Sequence, residues 1–186
     1  MNALTYRTYT TILGTLGLLF CSACFAQHCT NQSWTQLLDK QHQVEHWYNH
    51  NTMGFNELLN LQEHQVFMSK EFTDKELQSF WHPKKTELHQ KLHDQIESST
   101  YLSELLLDRT HLIREKMDEV SGLTLAWKEM SIHCLKANLA LNYQTSQNNV
   151  STSESLLQDL ATLESKYDAL RRLYEQEALS LKNSKP

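Results

Sequence analysis

Glycine and proline are scarce in this sequence, with four and two copies in 186 residues. Glycine reaches positive φ and proline presets turn dihedrals, so a chain this poor in both cannot make the many turns of a β-sandwich or barrel. A basic excess is missing as well. Lys and Arg total 17 against 22 Asp and Glu, for a formal charge of −5, which leaves no electrostatic footprint for nucleic acid. No G-x-S-x-G, Walker A or GxGxxG pattern occurs, so serine hydrolysis and nucleotide chemistry have no local motif. What is present is 40% hydrophobic and 9% aromatic, a globular or long-helix composition with enough chain for one domain.

The chain's long apolar run stands at its N-terminus. Arg7 precedes an apolar stretch over residues 12–20, and small residues then lead to Ala26. This is the layout of a signal peptide over residues 1–26, cut between Ala26 and Gln27, which directs the chain to the periplasm or outside the cell. Retained instead, the uncharged residues 8–26 are long enough to span a bilayer. Ser22, Ala23 and Cys24 also resemble the end of a bacterial lipoprotein cleavage box, although Cys21 occupies the position where Leu is usual. That alternative anchors the protein to a membrane through lipid on Cys24. After residue 26 no second run is long enough to cross a membrane.

Signal removal takes away Cys21 and Cys24 and leaves Cys29 and Cys134. Two cysteines in an oxidising compartment predict one disulfide. It would close a loop of about 105 residues, which the chain-entropy argument values at about 4–5 kcal/mol.

Helical periodicity dominates from residue 33 onward. Trp34, Leu37, Leu38, Val44 and Trp47 predict a helix from a cap at Asn31 or Ser33 to about His50. Residues 51–54, ending in Gly54, read as a break before a second helix through Phe55, Leu58, Leu59 and Val66. Thr73 and Glu76 have capping-box spacing and start a short helix with Leu77, Phe80 and Trp81. Pro83 then separates it from a long pattern: Leu88, Leu92, Ile96, Leu102, Leu106, Ile113 and Val120, interrupted by Ser99 and Arg109. Gly122 offers a turn, and Leu123, Trp127, Met130, Cys134, Ala137 and Leu141 suit a further helix. Residues 148–151 read as a polar loop, with Ser151 and Glu154 as another capping box. The last helix carries the clearest seam: Leu156, Leu160, Leu163, Tyr167, Leu170, Tyr174 and Leu181, with Glu177 in one slot.

These patterns predict an all-α fold, an elongated helical bundle with coiled-coil-like long helices and one disulfide. Residues 27–186 form one domain, with shorter helices over 27–83 and three long antiparallel helices over 84–182.

Histidine is the unusual residue, with ten copies and none before position 28. His42, His46 and His50 fall at i, i+4 and i+8, and His89 and His93 repeat that step, which brings two imidazoles to one helical face as Zn²⁺ or Cu²⁺ binding requires. Glu45 and the adjacent Glu63 and His64 are further candidate ligands. The plainer reading is a solvated helix face; a third is pH sensing by clustered imidazoles. His42, Glu45 and His46 also match the HxxEH pattern of inverted zinc proteases, in a chain with no strand signals to build the usual cleft. His133 beside Cys134 is no nucleophile–base pair, because helical neighbours point about 100° apart. Phe55, Phe67, Phe72 and Phe80, with Met53 and Met68, form either an adaptable apolar surface or a local core. Asn31 and Asn149 begin glycosylation sequons, relevant only in a eukaryotic source.

No catalytic residue is assigned. The seam from Leu156 to Leu181 can be buried within the chain or against another chain, so the leading expectation is a non-enzymatic, exported interaction, scaffold or chaperone-like protein of the cell envelope. It would have a protein partner or self-associate and need no cofactor. The alternative is a periplasmic Zn or Cu binder using the helical histidines.

Overall fold

The computed structural model describes residues 29–186; the expected signal peptide, its cut at Ala26 and the lipid site at Cys24 lie outside the described residues. Five helices follow in order, α1 (Asn31–Glu63), α2 (Met68–Glu71), α3 (Asp74–Phe80), α4 (Thr86–Lys136) and α5 (Ala140–Asn183), with no strand among the described residues. The all-α, long-helix architecture is as read from the periodicity.

At 1.5 Å per residue, the 51 residues of α4 and 44 of α5 give rods about 76 and 66 Å long. They form one antiparallel hairpin. Cross-links record the register along it: Gln147 Nε2 donates to Ser131 Oγ at 2.9 Å, Lys128 pairs with Glu154 at 2.8 Å, and Arg114 pairs with Glu164 at 2.7 Å. Lys182 Nζ reaches Thr100 Oγ1 at 3.2 Å near the open end. All seven residues of the expected seam, Leu156, Leu160, Leu163, Tyr167, Leu170, Tyr174 and Leu181, are buried. On α4, Leu92, Ser99, Leu106, Ile113, Val120, Trp127 and Cys134 recur every seventh residue and are buried too. A heptad repeat keeps one stripe of each helix facing its neighbour along the whole length.

The bundle has three long helices, but not where they were expected. Residues 84–182 hold two, and the third is α1, whose 33 residues run through the anticipated break at 51–54. Its inward positions explain why: Trp34, Gln41, Tyr48 and Phe55 keep seven-residue spacing across the polar stretch, and Asn51 bonds back to the Trp47 carbonyl at 2.8 Å. Gly122 makes no turn, and the polar residues 148–151 make no loop, for the same reason. Val150 and Ser153 are buried on the seam, and Ser153 Oγ donates to Gln41 Oε1 at 2.8 Å, so Ser151 and Glu154 lie mid-helix and form no capping box.

The real turn is at 137–139. Asn138 has φ 56°, the left-handed conformation that Asn tolerates better than other side chains. The Leu139 amide donates to the Cys134 carbonyl at 2.9 Å and the Asn138 amide to Leu135 at 3.0 Å, a Schellman closure of α4. The capping box predicted at Thr73 is present. The Glu76 amide donates to the Thr73 hydroxyl at 3.4 Å, and the Thr73 amide donates to the Glu76 carboxylate at 2.8 Å. These Thr73 hydrogen bonds hold the Glu76 carboxyl below its usual range.

Aromatic edge contacts fasten α1 and the α2–α3 segment to the hairpin. Trp34 meets Trp127 at 5.3 Å, Phe55 meets Tyr167 at 4.9 Å, and Phe67 meets Tyr174 at 5.4 Å. The phenylalanines of 55–80 therefore do not share one surface. Phe55 and Phe67 enter the main core, whereas Phe80 joins Leu77, Trp81, Leu92 and Leu181 in a second core at the open end; Met53 is exposed. The predicted disulfide joins Cys29 to Cys134, tying the start of α1 to the last turn of α4. Within α2, the Ser69 amide and hydroxyl both donate to the buried Glu177 carboxylate, which explains the polar residue in the seam's open slot.

Two stability experiments follow. Leu160 is fully buried at the hairpin's centre, so Leu160→Ala should cost about 2–5 kcal/mol in urea unfolding. Replacing Cys29 and Cys134 together by Ser should cost at most about 4–5 kcal/mol. Hydrogen exchange should then quicken first in the opening turns of α1, with the central seam still protected.

Candidate functional sites

The seam expected to meet a partner is consumed inside the chain. Residues Leu156 to Leu181 lie against α4, and the tyrosines receive α1 and the segment before α2. Burial raises the Tyr167 and Tyr174 hydroxyls above their usual ionisation range, with Arg109 opposing the shift at Tyr167. Tyr167 donates to the Asn51 carbonyl at 3.3 Å, and the Tyr174 hydroxyl bonds Gln65 Oε1 at 2.8 Å.

The histidines do not converge. His42, His46 and His50 stand exposed along α1, and no group of three or more His, Cys, Asp or Glu side chains able to hold a metal occurs among the described residues. Glu45, the would-be base of the HxxEH pattern, accepts a hydrogen bond from Gln41 Nε2 at 2.7 Å, and Gln41 is fixed in turn by Ser153. His64 is turned back on its own helix, with Nδ1 2.7 Å from the Asn60 carbonyl. The pair on α4 is different. His89 and His93 have ring centroids 4.7 Å apart, and each meets Trp81 edge-on at 5.2 Å. Cys134 is held in the disulfide and offers no thiol beside His133.

Sequence patterning did not single out two further places. Near the hairpin turn, Ile132, Leu135, Leu139 and Leu141 are 42–80% exposed, and Leu125, about 20 Å back along α4, is exposed too. Ala137 and Leu141, expected on the inward face with Leu123, Trp127, Met130 and Cys134, lie outside. Cys134, Met130, Trp127 and Leu123 take the inward positions.

The second place is a cleft of about 390 Å³ where α1 crosses α4. Trp47, Leu58, Leu105, Leu112 and Tyr167 supply its apolar walls; Arg109, His50 and Asn51 supply polar groups, and no carboxylate lines it. Arg109 entered the sequence reading only as an interruption of the α4 pattern. Among the described arginines, Arg114 pairs with Glu164, and Arg171 and Arg172 grip Asp168, holding its carboxyl below the usual range. Arg109, itself exposed, makes no ion pair among the described residues. Gly54 lines the same cleft from within α1, and a Cβ placed there meets nothing within 4 Å. A mid-helix glycine costs about 1 kcal/mol relative to alanine, so packing gives no reason for one at this position.

No family model, curated protein or solved structure matches the chain. No helix among the described residues is long and apolar enough to cross a membrane.

Proposed function

We propose that this chain is a non-catalytic, exported interaction protein that holds an apolar segment of a protein partner on the turn end of its hairpin. The observation that carries the reading is the set of exposed aliphatic side chains near that turn, Ile132, Leu135, Leu139 and Leu141, with Leu125 about 20 Å back along α4. Other large apolar side chains are exposed as well, among them Met53, Leu61, Val66 and Leu179. Among the described residues, however, only the stretch 132–141 exposes four within ten residues, and a local concentration marks a contact site more often than scattered residues do. The end is also stiff, being closed by the Schellman turn and clamped through Cys134 to α1, so little ordering entropy is lost on binding. Pairing of Cys29 with Cys134 fits an oxidising location, the periplasm or the exterior, whether the chain is freed at Ala26 or lipid-anchored at Cys24.

In-cell crosslinking tests this. The wild-type protein should give a discrete crosslinked species through the turn end, and Leu135→Ser with Leu141→Ser should abolish it without lowering the melting temperature, because both side chains are exposed. No crosslinked species in the wild type, or an undiminished one in the double variant, overturns the reading.

A second reading, metal binding, is favoured by one observation. A cation about 2.0 Å from one nitrogen of each of two imidazoles, with the bonds near a right angle, places the ring centroids about 4.5–5 Å apart. The 4.7 Å between His89 and His93, whose rings stand perpendicular at 89°, falls in that range. Such a two-ligand site with open positions suits Cu²⁺ above Zn²⁺. Replacing His89 and His93 by Gln should weaken Cu²⁺ binding by about tenfold or more, as expected on losing a chelating pair. The same change at His42, His46 and His50 should do less, and the opposite ranking removes the reading.

A further inference from the structure

We infer that the cleft between α1 and α4 is a binding site for an amphiphilic monocarboxylate, with Arg109 holding the carboxylate and the walls of Trp47, Leu58 and Leu112 holding an aliphatic tail. The inference is independent of the turn-end partner, since cleft and turn lie on different parts of the bundle.

Three observations converge on the cleft. Its size, about 390 Å³, falls in the range of small-molecule sites and suits an aliphatic chain better than a folded partner. Its charge is one-sided: the exposed Arg109 lines a largely apolar cleft that no carboxylate lines, and it has no ion-pair partner among the described residues. An incoming carboxylate matches the planar donor fork of Arg109 in bidentate fashion, and a hydroxyl or ammonium does not. His50 and Asn51, also on the lining, add donors beside that position.

The third observation is Gly54. It sits inside α1 with no turn, no positive φ and no neighbouring atom to exclude a side chain, so the space beyond its Cα is open cleft. A large side chain there would enter the volume assigned to the tail. Alanine would suit the helix better by about 1 kcal/mol, as it would at Gly122 in α4, which also has open space beyond its Cα; Gly54 is the glycine that lines the Arg109 cleft.

The test is calorimetric titration of the full-length exported protein with sodium decanoate below its micelle threshold, using decanol as the uncharged comparison and tryptophan emission as a second readout. Wild type is expected to bind one decanoate per chain and decanol about tenfold more weakly, the loss of one charge-assisted contact. Arg109→Gln should weaken decanoate by the same factor and leave decanol unchanged, whereas Arg114→Gln should change neither. Gly54→Leu should abolish binding of both. Circular dichroism confirms that each variant is folded. Absence of saturable decanoate binding overturns the assignment. So does more than one site per chain with equal affinity in all variants, or equal losses on removing Arg109 and Arg114.

Discussion

Everything in this molecule hangs on one shared register, the seven-residue repeat that turns one stripe of α4 toward one stripe of α5 along the hairpin. Positions 92 to 134 on α4 and 146 to 181 on α5 face each other with hardly an interruption, and nearly all of the main core lies on or beside those two lines. Two helices this long cannot be stabilised by local propensity, because an isolated helix in water gains little per residue. They persist because each turn buries apolar side chains against the partner. The register also dictates what cannot be chosen freely: every seventh side chain on α4 must be small or apolar, and Ser99 satisfies this by size.

A two-helix rod buries only one face of each helix, and the remaining chain covers the second. α1 follows α5 from the disulfide toward the open end, fastened by Trp34 on Trp127, by the Ser153–Gln41 hydrogen bond, and by Phe55 on Tyr167. The α2–α3 segment closes that end through Phe67 on Tyr174, Ser69 on Glu177 and Trp81 donating to Ser184 at 2.9 Å. The two tyrosines on the α5 seam thus serve both neighbours, with rings that pack α1 or the segment before α2 and hydroxyls that satisfy buried acceptors. The disulfide holds the one end of α1 that lacks a large apolar anchor before Trp34.

Architecture was legible in the sequence wherever periodicity was long. The seam of α5 and the capping box at Thr73 were read from spacing, and the disulfide from the two cysteines left after signal removal; each is present. Helix ends were read less well, for a physical reason. Asn51, Gly54, Gly122 and Asn148 are turn-forming residues by local preference, but apolar positions at the correct spacing flank each of them, and burial of a continuous stripe outweighs a deficit of about 1 kcal/mol at a single residue. Where the stripe does end, after Cys134, a single Asn with a left-handed backbone suffices, and nothing in its residue type separates Asn138 from Asn148 or Asn149. The apolar turn end and the Arg109 cleft were illegible for a related reason. A periodic pattern shows which residues face inward, and says nothing of a residue on the opposite face or at a crossing of helices distant in sequence.

That asymmetry has a functional side. A register that fixes the inward stripe leaves the outward residues free to change, so outward features that oppose folding or solubility need a cause beyond the fold. Most outward positions here obey the solvated default: Lys91 pairs with Glu87 and Lys116 with Glu119, as charged helix faces do. Others do not: leucine and isoleucine meet water near the turn, as do Met53, Leu61, Val66 and Leu179 elsewhere; α1 and α4 carry Gly54 and Gly122 where alanine would fit; and the exposed Arg109 lines a largely apolar cleft without an ion pair among the described residues. Gly54 and Arg109 share one cleft although 55 positions separate them in the chain, so α1 and α4 meet around a space that neither helix fills. A leucine at position 54 would enter that space, whereas glycine leaves it open at a cost of about 1 kcal/mol of helix stability relative to alanine.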